Sequence, residues 1–154
     1  TCHSVLEACE KLKYLPVHMP YNITMVDKHS DYSTIYVGPN QASLITKDRA
    51  ATNHQQVVEW ENYALMTSSQ ERIDTLMAYM NVPLQTEANL LNAFAMPPLF
   101  VHKPESSFVA LYTAIYRPWS TSMKLLWEGN ELHQSIDSFT EKIFYKKIKM
   151  PLWH

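Results

Sequence analysis

The chain has 154 residues, 46% of them hydrophobic and 18% charged, with a formal net charge of −2. That is the composition of one globular domain with a buried core, with no bulk attraction for nucleic acid or a membrane surface. Two glycines exclude a glycine-rich phosphate loop and a dinucleotide fingerprint, and no apolar run approaches the about 20 residues of a membrane-spanning helix.

The first residues, TCHSVLEACEKLK, hold no apolar segment of the signal-peptide kind and lack an initiator Met, so the chain reads as a processed product or fragment. Ser4 and Glu7 form a capping box. Val5, Ala8, Cys9 and Leu12 then recur at helical spacing, and Pro16 follows the end, which predicts a helix over residues 5–13. Cys2 and Cys9, seven residues apart, would lie ~10 Å apart along such a helix, too far for a disulfide.

YNITMVD places Tyr21, Ile23 and Met25 on one face of a strand; YSTIYV is β-branched and aromatic; GPNQ is turn chemistry; ASLITK follows as the next strand. These predict an antiparallel meander. The polar run ATNHQQVVEW, residues 51–60, lies between strand-like and helix-like segments. On residues alone, Asn53 is a turn residue or part of a site.

Ser68 and Glu71 repeat the capping-box pattern before an apolar stripe of Ile73, Leu76, Met77 and Met80. A third helix is predicted over 87–95, capped by Thr86 and ended by Pro97 and Pro98. SFVALYTAIY, apolar on both faces, predicts a long central strand covered on both sides. MKLLWE is expected to pair back onto it. From Glu131 the chain reads as either a short helix or an edge strand, and residues 131–154 as a C-terminal extension of a single domain portion, 1–154. Lys142, Lys146, Lys147 and Lys149 make its solvated basic edge. Helices and meanders in this order give an α+β layered fold.

Several motifs carry little. The seven histidines show no metal-ligand spacing, so neither a metal nor another cofactor is expected. His133-Gln134-Ser135 resembles half of a paired H-x-S/T motif that has no second half here. Asn22-Ile23-Thr24 is a glycosylation sequon inside a predicted buried strand. Tyr112, Tyr116, Trp119 and Trp127 read as sheet packing.

The order of EACEKLKYLPVHMPYNITMVD, TIYVGPN, ITKDRAATNHQQ, TSSQERIDTLMAYM and ALYTAIYRPWSTSMKLLWEG resembles the C-terminal half of an N-terminal-nucleophile (Ntn) cysteine hydrolase. The group is that of the acyl-coenzyme A:6-aminopenicillanic acid acyltransferases and linear-amide C–N hydrolases, with choloylglycine hydrolases as more distant relatives. The resemblance covers roughly residues 3–130. It implies an αββα four-layer sandwich of two antiparallel sheets, of which this chain is the C-terminal portion. It also implies an autocleaved cysteine that attacks an amide carbonyl, with its own α-amino group as base.

In this resemblance Asn53 matches the asparagine of the TN motif, whose amide points at the oxyanion, and is expected on a rigid strand end after Lys47. Arg72 matches the arginine of the S-x-x-R stretch, which orients the cysteine or stabilises its thiolate. Arg72 falls in the first turn of its helix, where the macrodipole disfavours a cation by about 0.3–1 kcal/mol, a modest sign of a role beyond structure. The bland alternative pairs Arg72 with Glu71 or Asp74 at the surface. His54 is expected beside the substrate as a supporting residue, since the α-amine already serves as base. Trp60 and Tyr63 are expected to line an acyl pocket. The nucleophile should open a strand, whereas Cys2 and Thr1 precede a capped helix, so it is expected upstream of this chain or in a separate chain. The implied substrate is a small linear amide. The runner-up reading is a non-catalytic binding or scaffold module that keeps the fold.

Overall fold

The computed structural model describes residues 1–58, 60–103, 108–127, 130–143 and 145. Lys146, Lys147, Lys149 and His154 lie outside them. The chain is mixed helix and sheet, α+β.

Helix α1, Val5–Leu12, begins where the capping box put it. The Ser4 hydroxyl accepts from the Glu7 amide at 3.2 Å, and the Glu7 carboxylate accepts from the His3 amide at 2.8 Å. Its Val5 and Cys9 are buried. Strands β1 (Tyr21–Val26), β2 (Tyr32–Val37) and β3 (Leu44–Thr46) form the expected antiparallel meander in the order β1-β2-β3.

The register pairs Asn22 with Tyr36, Ile23 with Ile35 and Thr24 with Thr34. Successive side chains on a strand alternate between faces. Asn22, Thr24, Thr34 and Tyr36 therefore share one face and Ile23, Met25 and Ile35 the other. Helix α1 packs against β2, and Met25 lines a depression with Val5 and Ala8. Ser33 to Val37 are all buried, so both faces of β2 are covered.

Helices α2 (Glu61–Met66), α3 (Ser69–Met80) and α4 (Glu87–Phe94) follow. Thr86 caps α4 as expected, its hydroxyl accepting from the Asn89 amide at 3.2 Å. The second capping box fails. Ser68 sits in the left-handed region at φ 50° and makes no capping bond with its side chain. It is the link through which α2 turns directly into α3. Of the predicted α3 stripe, Leu76 is buried and packs with Ala93 and Leu99, flanked by Tyr79 and Phe94, whereas Met77 is exposed.

The long central strand is also corrected. Within SFVALYTAIY only Phe108–Val109 (β5) and Thr113–Arg117 (β6) are strands; residue 107 lies outside the described residues. Strand β5 pairs with β4 (His102–Lys103), while β6 is the edge of a separate sheet ordered β6-β7-β8. Leu111, Tyr112 and Tyr116 are more than half exposed, as is Trp119, so they are not sheet packing within the described chain. An apolar sequence asks for cover on both faces, but no described element supplies it here.

The middle place belongs to β7 (Ser122–Trp127), which pairs back onto β6 as predicted. The ambiguous segment from Glu131 is an edge strand, β8 (Asn130–Ser135). Arg117 of β6 pairs with Glu87 of α4 and ties this sheet to the helices.

Candidate active site

The run 51–60 lies in the loop between β3 and α2. Asn53 therefore does not sit on a strand end: β3 stops at Thr46, seven residues earlier. Side chains from the first sheet hold the loop instead. The Asn22 amide on β1 donates to the carbonyl oxygens of both Thr52 and His54, each at 2.7 Å. Thr34 donates to the Asp48 carbonyl at 3.0 Å, and the Tyr36 hydroxyl donates to the Asp48 carboxylate at 2.8 Å. Gln55 donates to the Val37 carbonyl at 3.0 Å.

The other side of the loop is pinned to the start of α3. Thr52 Oγ1 donates to the Ser69 carbonyl at 3.0 Å, and His54 Nδ1 lies 2.6 Å from the fully buried Ser69 hydroxyl. His54 is thus a hydrogen-bond partner of Ser69.

Between these clamped neighbours Asn53 is exposed. Its Oδ1 accepts from Arg72 Nη1 at 2.8 Å, and its Nδ2 faces the Tyr63 hydroxyl at 3.4 Å. A guanidinium only donates, so it fixes the flip of the amide, oxygen toward Arg72 and NH2 group away from it. Arg72 also donates to the Thr67 carbonyl at 3.4 Å, and its Nε is buried without a hydrogen-bond partner among the described residues. Among the described residues no carboxylate pairs with Arg72, which overturns the surface ion-pair reading with Glu71 or Asp74. Burial pushes the guanidinium pKa down from its usual value, and the Tyr63 phenol opposes that shift.

Two depressions meet at Asn53. One, about 280 Å³, is lined by Asn53 with His54, Trp60 and Tyr63, and by Tyr21 and Asn22 from β1. Trp60 and Tyr63 meet edge to face with ring centroids 6.3 Å apart. All three residues expected beside the substrate therefore share one cleft with Asn53. The other depression, about 430 Å³, is lined by Asn53, Thr67 and Arg72, then by apolar residues of α4, its following loop and β6.

Neither cysteine reaches this place. Cys2 is exposed and lines a depression with Met25, Val26 and Asp27. That is the far end of β1 from Asn22, about 13 Å along a strand. Cys9 is buried under α1. No group of three His, Cys, Asp or Glu side chains among the described residues is placed to hold a metal.

Sequence reasoning missed Asn22 and Ser69. In the sequence Asn22 stands out only as part of a sequon in a predicted buried strand. Its strand is an edge, and its side chain is committed to the loop. The available signal was the alternation of Asn22 and Thr24 on one face of an otherwise apolar strand.

The model of the acyl-coenzyme A:6-aminopenicillanic acid acyl-transferase family matches residues 1–132. The chain belongs to this family. It is thereby a member of a family of acyltransferases and related hydrolases. No curated protein and no solved structure matches it. No helix among the described residues is long and apolar enough to cross a membrane.

Proposed function

We propose that this chain is the C-terminal part of a cysteine-dependent Ntn amidohydrolase or acyltransferase acting on a linear, non-peptide amide. An upstream segment or separate chain supplies the nucleophile and completes the four-layer sandwich. The observation that carries this reading is the Arg72–Asn53 pair: an exposed amide whose orientation is fixed by a half-buried guanidinium, at the meeting of two depressions. The positions of Cys2 and Cys9 away from Asn53 support a nucleophile from elsewhere in the enzyme.

In the proposed reaction the incoming thiol gives its proton to the α-amine of its own residue. The thiolate sulfur then attacks the amide carbonyl carbon, and the C=O π electrons move onto oxygen. Asn53 Nδ2 donates to that oxyanion, in an orientation set by the bond from Arg72 to Oδ1. Collapse of the intermediate breaks the C–N bond, and the leaving amine takes the proton from the α-ammonium. Water or an acceptor amine then attacks the thioester and releases the thiol. Donors preorganised toward an oxyanion work because they need no reorientation as charge develops. Arg72 acts through Asn53 and adds its positive charge to the site.

The test is turnover of a simple amide by the enzyme carrying its upstream segment. Asn53→Ala should lower kcat about 10²- to 10³-fold, with an unchanged urea midpoint, since Asn53 is exposed. The isolated 154-residue chain should hydrolyse no amide. Equal turnover in the variant, or hydrolysis by the isolated chain, would overturn the reading.

A further inference from the structure

Thr52 and His54, the neighbours of Asn53 in the loop, both bond Ser69, which stands on α3 one turn before Arg72. Ser69 and Arg72 therefore lie on one side of the helix, and the bonds to Ser69 join the loop to the helix beside the Asn53–Arg72 pair. The protons of this small ring can be assigned one by one. Thr52 Oγ1 lies 3.0 Å from the Ser69 carbonyl, which only accepts, so the Thr52 hydroxyl gives its single proton there. The Ser69 hydroxyl then has to be the donor across its 3.1 Å contact with Thr52 Oγ1. With that proton committed, the 2.6 Å bond between Ser69 Oγ and His54 Nδ1 takes its proton from the imidazole. A proton on Nδ1 also suits the 3.3 Å contact with Thr52 Oγ1, where a bare nitrogen would set lone pair against lone pair. One arrangement thus satisfies every contact of the ring: His54 carries Nδ1–H, and its neutral form leaves Nε2 without a proton. Ser69 is fully buried, so water does not replace a partner that is removed.

We propose that His54 is a positioning residue of the reaction, held as its Nδ1–H tautomer. The ring it closes with Thr52 and Ser69 sets the distance between Asn53 and Arg72, and with it the aim of the Asn53 amide. The inference rests on the reading of Asn53 as the oxyanion donor. Asn22 and Gln55 tie the same loop to the first sheet, but those bonds do not reach α3. The ring alone bonds residues on both sides of Asn53 to the helix that carries Arg72. Opening it leaves Asn53 exposed on a loop still attached to the sheet, with its guanidinium partner no longer at a fixed place. A shift of about 1 Å in a reacting or donating group can cost ~10²-fold in rate.

The test uses the enzyme with its upstream segment and a simple amide. His54→Leu removes the donor of the ring and should lower kcat about ten-fold or more, with KM little changed. In an Asn53→Ala background the same substitution should lower kcat by less than about two-fold, because its effect passes through Asn53. His54→Asn, whose NH2 group can stand in for Nδ1–H, should recover most of the loss. If His54→Leu fails to fold, Thr52→Val, which keeps the shape and removes one hydroxyl of the ring, goes through the same cycle. Equal losses in the two backgrounds overturn the proposal, since a histidine that only stabilises the fold acts without regard to Asn53. Full turnover in Asn53→Ala overturns the oxyanion reading and the proposal with it. A loss in Asn53→Ala that is not coupled to His54 overturns the proposal alone. Long-range proton–nitrogen correlation NMR checks the tautomer without catalysis. A proton on Nδ1 in the neutral imidazole supports the ring, and a proton on Nε2 overturns it.

Discussion

The molecule contains two antiparallel three-stranded meanders with the same strand order but different depths of burial. In the first, the middle strand β2 has five consecutive buried residues, Ser33 to Val37. In the second, every residue of the middle strand β7, Ser122 to Trp127, is only half-buried. The cause is cover. Helix α1 lies against β2, and the 47–60 loop is bonded to its other face through Thr34, Tyr36 and Val37. The second sheet borders a depression lined by Leu91 and Phe94 of α4 and by its own Leu126 and Trp127, with the exposed rings of Tyr116 and Trp119 at its edge. Rigid cover makes the first sheet a foundation for the site. The loop that carries the proposed oxyanion donor is accordingly anchored to the first sheet.

The sharpest way to break this comparison is to cut the same amount from each middle strand. Ile35 is fully buried, so Ile35→Ala should cost about 2–5 kcal/mol in urea unfolding. Leu125 is half-buried, and Leu125→Ala should cost roughly 1 kcal/mol. Equal losses would mean that the two sheets are equally load-sharing and that the difference in cover has no energetic consequence.

The next comparison sets two amide side chains on edge strands against each other. Asn22 on β1 donates to the Thr52 and His54 carbonyls; Gln134 on β8 donates to the Thr140 carbonyl at 2.6 Å and accepts from its amide at 3.3 Å. Replacing either by an apolar residue leaves backbone groups without that partner, at about 1–3 kcal/mol. Only Asn22 holds the residues on either side of Asn53. Asn22→Leu should therefore lower kcat on an amide about ten-fold or more with KM little changed, while Gln134→Leu should lower stability alone. Comparable kcat losses in both would remove the special link between the first sheet and the site.

What could be read from the sequence follows the same division. The α1 and α4 caps, the β1-β2-β3 meander and the β6-β7 pairing were legible because neighbouring residues decide them: Ser4 with Glu7, Thr86 before its helix, alternation along YNITMV. The failures depend on distant cover. Ser68 carries a capping pattern but takes a left-handed link because α2 runs into α3. SFVALYTAIY has the composition of a covered strand but lies at an edge. The roles expected of Asn53 and Arg72 rest on the resemblance, with only the first-turn position of Arg72 as a local sign. Their pairing across 19 positions, like that of Asn22 with a loop 30 residues on, cannot be seen in a one-dimensional spacing.

The smallest expected effect tests the bond that joins β2 to the loop. Tyr36 is buried and donates to Asp48 at 2.8 Å. Burial first, and the Asp48 carboxylate next, push its pKa up from 10.0 to about 12. The fold thus favours the neutral phenol. Its contribution to stability is fully present below about pH 10 and is lost as pH rises from 10 toward 12, because the unfolded chain releases that proton first. Tyr36→Phe removes both the hydrogen bond and this titration. At pH 8 the variant should unfold at a lower urea concentration than the parent protein. The gap should narrow steadily between pH 10 and 12, since only the parent loses the contribution. A gap that stays constant over that range would mean the phenol titrates alike in both states, and that the bond from β2 does not hold the loop. The second sheet has no buried tyrosine on its described middle strand, so the narrowing would report the foundation of the site alone.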